Sequence, residues 1–137
     1  MLQTSEIQYR DSFYDVTLVV KQGNLADGMR HAALQGESMR AGEAVKLDLP
    51  GSLGDLIAIH IRPSCLASLH SVENRGERKV TKEPTLDEFM EYPDALVDLW
   101  QTAVWELNPH WSPFGRSAIP SNSSTENSSS GTPEKQV

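Results

Sequence analysis

The chain carries a single cysteine, Cys65, in 137 residues, so no intramolecular disulfide can form and packing alone must hold the fold. It is also short of positive charge. Twelve Lys and Arg stand against 19 Asp and Glu, a net charge of -7, which disfavours capture by phosphate backbones or anionic lipid surfaces. Neither nucleic acid nor membrane is expected as a partner. No apolar run approaches the roughly 20 residues of a membrane-spanning helix. The opening MLQTSEIQYRDSFYDV lacks the charged-then-apolar layout of a signal peptide, so a soluble, reduced, cytoplasmic protein is expected. There is no G-x-G-x-x-G, no P-loop, no G-x-S-x-G and no C-x-x-C pair, which leaves no motif for a cofactor, an activated nucleophile or a structural metal. The length suits one domain with a modest core.

What the sequence does have is concentrated between Pro84 and Trp111, a stretch that holds all three tryptophans. Thr85 with Glu88 three residues on forms a capping box, and Pro84 keeps the preceding chain out of the helix, so a short helix opens at Leu86. Pro93 restarts the chain at a first helical position, with Asp94 beside it at the positive end of the dipole. Leu96, Leu99, Trp100, Ala103 and Leu107 then recur with the 3.6-residue period of one helix face, and Asn108-Pro109 stops the helix.

Earlier in the chain, Phe13–Val20 is rich in aromatic and β-branched residues and alternates as a strand does. Asn24 caps a helix running through Leu25, Met29, Ala32, Ala33 and Leu34. Gly28 and Gly36 each weaken it by about 1 kcal/mol. Val45–Leu49 alternates as a second short strand ending at Pro50-Gly51. Ser52–Val72 is an apolar block too long for one strand, which predicts a helix kinked or interrupted at Pro63. Glu73–Glu83 reads as a charged, solvated connector. From Ser117 onward the chain is Ser- and Asn-rich and predicted to be disordered, giving a domain over residues 1–116 and a tail over 117–137. The predicted fold class is therefore mainly α, a small helical domain with a short N-terminal β-strand or hairpin and a disordered C-terminal tail.

Residues with chemical potential are few. His60, Cys65 and His70 are legitimate zinc ligands, but spaced five apart on a helix they point about 140° from one another and do not converge. A metal-dependent hydrolase built on them is set aside for that reason. Asp87, Glu88, Glu91 and Asp94 are acids mostly of helix first turns, explained by capping and dipole without acid–base work. No catalytic residue and no cofactor is assigned. Leu96, Leu99, Trp100, Trp105 and Trp111 are the candidate protein-binding residues, because tryptophan and leucine serve both cores and interfaces. Trp100 belongs with the buried face. Trp105 has Thr102, Gln101 and Asp98 as helical neighbours, and either a partner or another segment of the fold can receive it.

The run Tyr92-Pro93-Asp94-Ala95-Leu96-Val97-Asp98-Leu99-Trp100, followed by Ala103-Val104-Trp105-Glu106-Leu107-Asn108-Pro109-His110-Trp111, resembles the C-terminal helix and Asn-Pro-x-Trp ending of tail assembly chaperones from long-tailed bacteriophages. The likeness is closest over Pro84–Trp111 and weaker over Ser52–Val72. It implies a non-enzymatic protein of the infected host's cytoplasm, absent from the mature virion, which binds the tape measure protein and helps tail tube protein subunits polymerise around it. It also implies the short form of a ribosomal frameshift pair. Self-association is left open. The rival from another class is a small phage or bacterial regulator that binds a host protein.

Overall fold

The structure, a computed structural model, describes residues 2–114, so the tail at 117–137 lies outside the described residues. Two strands open the chain, β1 (Thr4–Arg10) and β2 (Asp15–Lys21), paired antiparallel from Thr4↔Lys21 to Arg10↔Asp15. Asp11 shapes their connection: its Oδ1 accepts the Phe13 and Tyr14 amides at 2.8 Å each, and its Oδ2 accepts the Tyr9 hydroxyl at 2.7 Å. The Tyr14 amide first, then the Tyr9 hydroxyl and the Phe13 amide, hold this carboxyl below the usual carboxylate range. A third strand, β3 (Leu69–Asn74), pairs antiparallel with the other edge of β2, with a bulge between Val19 and Val20.

The mainly α expectation is thus corrected: the fold combines helices with a three-stranded antiparallel sheet of order β1-β2-β3. One strand was legible beforehand. β1 alternates but has only Ile7 and Tyr9 as apolar residues, and β3 loses its alternation at the bulge, so neither shows the β-branched, apolar run that marks β2. The segment expected as a second strand, Val45–Leu49, instead begins inside a short helix, α2 (Glu43–Lys46). With no strand beside it to pair with, its backbone closes local bonds.

Between β2 and β3 lie α1 (Leu25–Arg40), α2, and a long helical run made of α3 (Leu53–Asp55), a π-helical segment (Leu56–Ile61) and α4 (Arg62–Ser68). The Asn24–Asp27 capping box starts α1, and despite Gly28 and Gly36 the helix continues to Arg40. Gly42, at φ 65°, turns the chain into α2, a conformation that glycine adopts without strain. The α pattern is interrupted just before Pro63, where the sequence predicts a break: the π segment ends at Ile61, its last bond carrying the Arg62 N–H back five residues to the Ile57 carbonyl, and α4 opens with Pro63 in its first turn.

After β3, the charged connector is not wholly a solvated loop. Val80 is buried, and Asn74 holds it by both backbone groups, at 2.8 and 2.9 Å. Gly76 stands where this segment crosses the β1–β2 turn, and a Cβ there would lie 2.6 Å from the Asp15 amide nitrogen and 2.7 Å from the Phe13 carbonyl oxygen. Backbone cannot give way cheaply. Gly76→Ala is expected to cost about 1–3 kcal/mol, measured as a lowered urea midpoint at unchanged slope; a midpoint equal to the parent's would refute the close approach.

The chain then forms α5 (Leu86–Met90), opened by the Thr85–Glu88 capping box, α6 (Asp94–Leu107), and a 3₁₀ turn over Pro109–Trp111. Helix α6 packs between the inner face of the sheet and α4. Val16, Leu18 and Val20 from β2, Leu66 from α4, and Leu96, Trp100 and Val104 from α6 are essentially inaccessible and form the centre of the core. Two-sided packing explains why α6 buries more than the single face read from its period: Trp105, half a turn from that face, is buried against α4, while Leu99 remains 46% exposed.

Candidate protein interface

The five candidate binding residues do not form one surface. Leu96, Trp100, Trp105 and Trp111 are buried and only Leu99 is open to solvent. Trp100 stands among Phe89 and Tyr92, ring centroids 5.9 and 6.5 Å away, as part of an aromatic cluster that ties α5 to α6. Trp105 donates its indole N–H to the Ser64 hydroxyl at 3.0 Å, so the position that sequence left open is taken by the fold itself. Trp111 stacks on the His31 ring at 4.5 Å and 10°, with its six-membered edge against Gly23.

Asn108, read only as a helix stop, proves to be a junction. Its Oδ1 accepts the Gly23 amide at 2.7 Å, and its Nδ2 donates to the Lys21 and Val104 carbonyls, both at 3.1 Å. The Asn-Pro-x-Trp ending therefore locks the end of β2 and the start of α1 to the end of α6. A buried asparagine between three backbone groups leaves no period for a sequence reading to find.

Helix α1 is packed inside out. Its fully buried residues are polar, His31 and Ser38, and the side chains facing the fold bond backbone groups of the α3–π–α4 run. Ser38 Oγ donates to the Ala58 carbonyl at 2.8 Å, Gln35 Nε2 to Ile59 at 3.0 Å, and Arg30 Nη1 to Leu66 at 2.7 Å. One of these acceptors is left over by the run. A proline has no amide to give the carbonyl four residues back, here Ile59, and the Leu66 carbonyl at the end of α4 accepts Arg30 in addition to the Leu69 amide. The Ser64 hydroxyl accepts from Trp105 and lies 3.2 Å from His31 Nε2, to which it donates in the neutral tautomer with the proton on Nδ1 and from which it accepts in the other. Burial pushes the His31 pKa down to about 4, with smaller contributions from His60 and His110.

Most apolar residues of α1 point away from the fold: Leu25 is 82% exposed and Met29 65%, Ala32 and Ala33 are exposed beside them, and Met39 is 60% exposed further along, while Leu34 packs against the core. At 1.5 Å per residue the 16-residue helix presents this band over about 24 Å. Methionine and leucine on an open helix face are side chains that adapt to the shape of a partner.

The zinc reading has no geometry behind it. Among the described residues no three His, Cys, Asp or Glu side chains converge on a metal position, and Cys65 is fully buried, its thiol pKa raised well above the ordinary value by desolvation. The Ser64–His31 contact pairs a hydroxyl with an imidazole, but both are enclosed between α1, α4 and α6, with no room for a substrate at the hydroxyl. No helix among the described residues is long and apolar enough to cross a membrane. Comparison with protein-family models, with curated proteins and with solved structures finds no match to this chain.

Proposed function

We propose that the chain is a binding protein of the tail assembly chaperone kind, which holds a helical segment of a tape measure protein against the outward face of α1 until tail tube protein subunits replace it. The observation that supports this reading is the inversion of α1, whose leucine and methionines face solvent while its polar residues face the fold. The resemblance over Pro84–Trp111 supplies the client and the setting, the cytoplasm of an infected bacterium. The binding surface moves accordingly from α6 to α1. No catalysis and no cofactor are part of the proposal.

Contacts of this kind are apolar and outlast salt. As ionic strength rises from about 0.05 to about 0.5 M, affinity is expected to hold or tighten, because screening weakens exposed charge pairs and leaves apolar burial intact. The variant Leu25→Asp/Met29→Asp is expected to keep the parent's circular dichroism and melting temperature within about 2 °C, since both side chains lie in solvent, yet to lose about 2 kcal/mol or more of affinity, around thirtyfold. The measurement is co-expression with the tape measure protein followed by titration of purified partners. If the parent neither co-purifies with the tape measure protein nor keeps it soluble, the chaperone reading fails. If the variant binds as well as the parent, the face is wrong. Trp105→Ala cannot serve as this probe, because its ring is part of the core and bonded to Ser64.

A further inference from the structure

Helix α1 is attached differently from every other long element. The sheet, α4 and α6 share one apolar core, whereas the only α1 side chain packed against that core as a hydrophobe is Leu34, and it is only partly buried. The rest of its seat is polar: Arg30, His31, Gln35 and Ser38 on one side, the Leu66, Ile59 and Ala58 carbonyls and the Ser64 hydroxyl on the other. Hydrogen bonds of this type contribute little net stability once exchange with water is counted, and water satisfies both sides when they part. Two internal glycines lower the helix's own stability further. Gly23 and Gly42 bound the segment, and the Asn24–Asp27 capping box is local and travels with it.

We propose that α1 is a detachable cover: it lifts from α4 as a unit between Gly23 and Gly42 while the sheet, α4 and α6 stay folded, and acid favours the lifted state. The equilibrium belongs to the chain alone and does not rest on the identity of any client. Lifting uncovers the face of Trp111, the Ser64 hydroxyl and the three carbonyls.

The acid dependence follows from what surrounds His31. From the π segment it meets His60, from the 3₁₀ turn His110, from α4 the Ser64 hydroxyl, and from α6 the Trp105 ring that shares that hydroxyl. On its own helix the nearest charges are Asp27, taken up by Lys21 at 3.3 Å, and Arg30, paired with Glu83 at 3.0 Å. No carboxylate contacts the ring. A proton on His31 must therefore be carried in a dry site beside two other bases. Attraction of the cation to the Trp111 face, 4.5 Å away, offsets only part of this. With a lowered pKa in the closed state and an ordinary one near 6.5 in the open state, the closed form loses ground as pH falls below about 6.5 and the loss levels off below about 4.

Hydrogen exchange on the full chain tests both halves, with rates corrected for the pH dependence of the chemical step. Amides of α1 are expected to exchange through an opening at least tenfold more populated than the one that exposes α6 and β2, with little dependence on urea. Between about pH 7.5 and about pH 5 that opening is expected to grow about thirtyfold in the parent and less than about threefold in His31→Gln, which keeps a neutral hydrogen-bonding side chain toward Ser64. Equal protection of α1, α6 and β2 at both pH values overturns the cover, and an undiminished acid response in His31→Gln overturns the role of His31. If His31→Gln does not fold, the imidazole titration of the parent followed by NMR decides the second half: a midpoint near 4 supports it, and one at or above about 6.5 sinks it.

Discussion

Trp100→Ala is expected to cost about 3–5 kcal/mol and to lower the thermal midpoint by on the order of 10–20 °C. The ring is wholly inaccessible, at the meeting point of the sheet's inner face, α5 and the aromatic pair Phe89 and Tyr92, so nothing nearby can collapse into the space without disturbing two elements at once. That loss takes much of the stability of a typical small domain. A second substitution separates ring from polar group. The Trp100 indole N–H is buried with no hydrogen-bond partner among the described residues, and burying such a donor costs about 1–3 kcal/mol. Trp100→Phe removes the donor along with part of the ring, and is expected to lose less than half of what Trp100→Ala loses. Equal losses in the two variants would show that the N–H is satisfied in solution, and a midpoint for Trp100→Ala within about 2 °C of the parent would remove Trp100 from the core altogether.

Asn108→Ala comes next, at about 2–4 kcal/mol. The cost here is one of pairing more than of volume. The Gly23 amide loses its acceptor, while the Lys21 carbonyl keeps the Ser68 hydroxyl at 2.6 Å and the Val104 carbonyl keeps the Asn108 amide at 2.8 Å, so one orphaned group and a small void account for the loss. Asn108→Asp gives the sharper result. Its carboxylate still accepts from Gly23, but the second oxygen faces the Lys21 and Val104 carbonyls where Nδ2 had donated to both. The folded state then favours the protonated acid and its pKa rises. A raised carboxyl pKa stabilises the fold at pH below it relative to pH above it, so this variant is expected to be less stable than Asn108→Ala at about pH 7 and to recover relative to it towards about pH 4.5. Urea midpoints of the two variants at both pH values check the crossing. Parallel behaviour would mean that the side chain turns away from those carbonyls.

Local chemistry was readable wherever it acts within a few residues. The Asn24 cap, the Thr85–Glu88 capping box, the start of α6 after Pro93 and its stop at Asn108 all formed as their side chains dictate. Strand β2 was visible because both its alternation and its β-branched residues survive in the sequence. What failed depended on partners far along the chain. β1 and β3 are strands because β2 lies between them, and Val45–Leu49 is not one because nothing lies beside it. The interruption at Pro63 was legible, but not that α1, some 25–30 residues earlier, supplies Gln35 to the Ile59 carbonyl there.

Which apolar residues lie open to solvent was hard to read for a related reason. Periodicity finds the apolar band on α1 but cannot say which way it faces, and the usual rule turns it inward. Here His31, Gln35 and Ser38 occupy the inner side because the π segment and Pro63 offer carbonyls there in place of a greasy wall. On α6 the opposite error arises, since one apolar face suggested an open back, and α4 covers it.

The order of the sheet also sets a clock for synthesis. The β1–β2 hairpin is complete once Lys21 has left the ribosome, but the element that covers Val16, Leu18 and Val20 ends at Leu107, roughly 80 residues later. At about 5–20 residues per second, that bare apolar ribbon waits on the order of 4–16 s before its own lid arrives. During that interval the nascent chain has an adhesive surface that the finished protein lacks, and its yield in the cell is governed by what shelters the hairpin in those seconds as much as by the stability of the final fold.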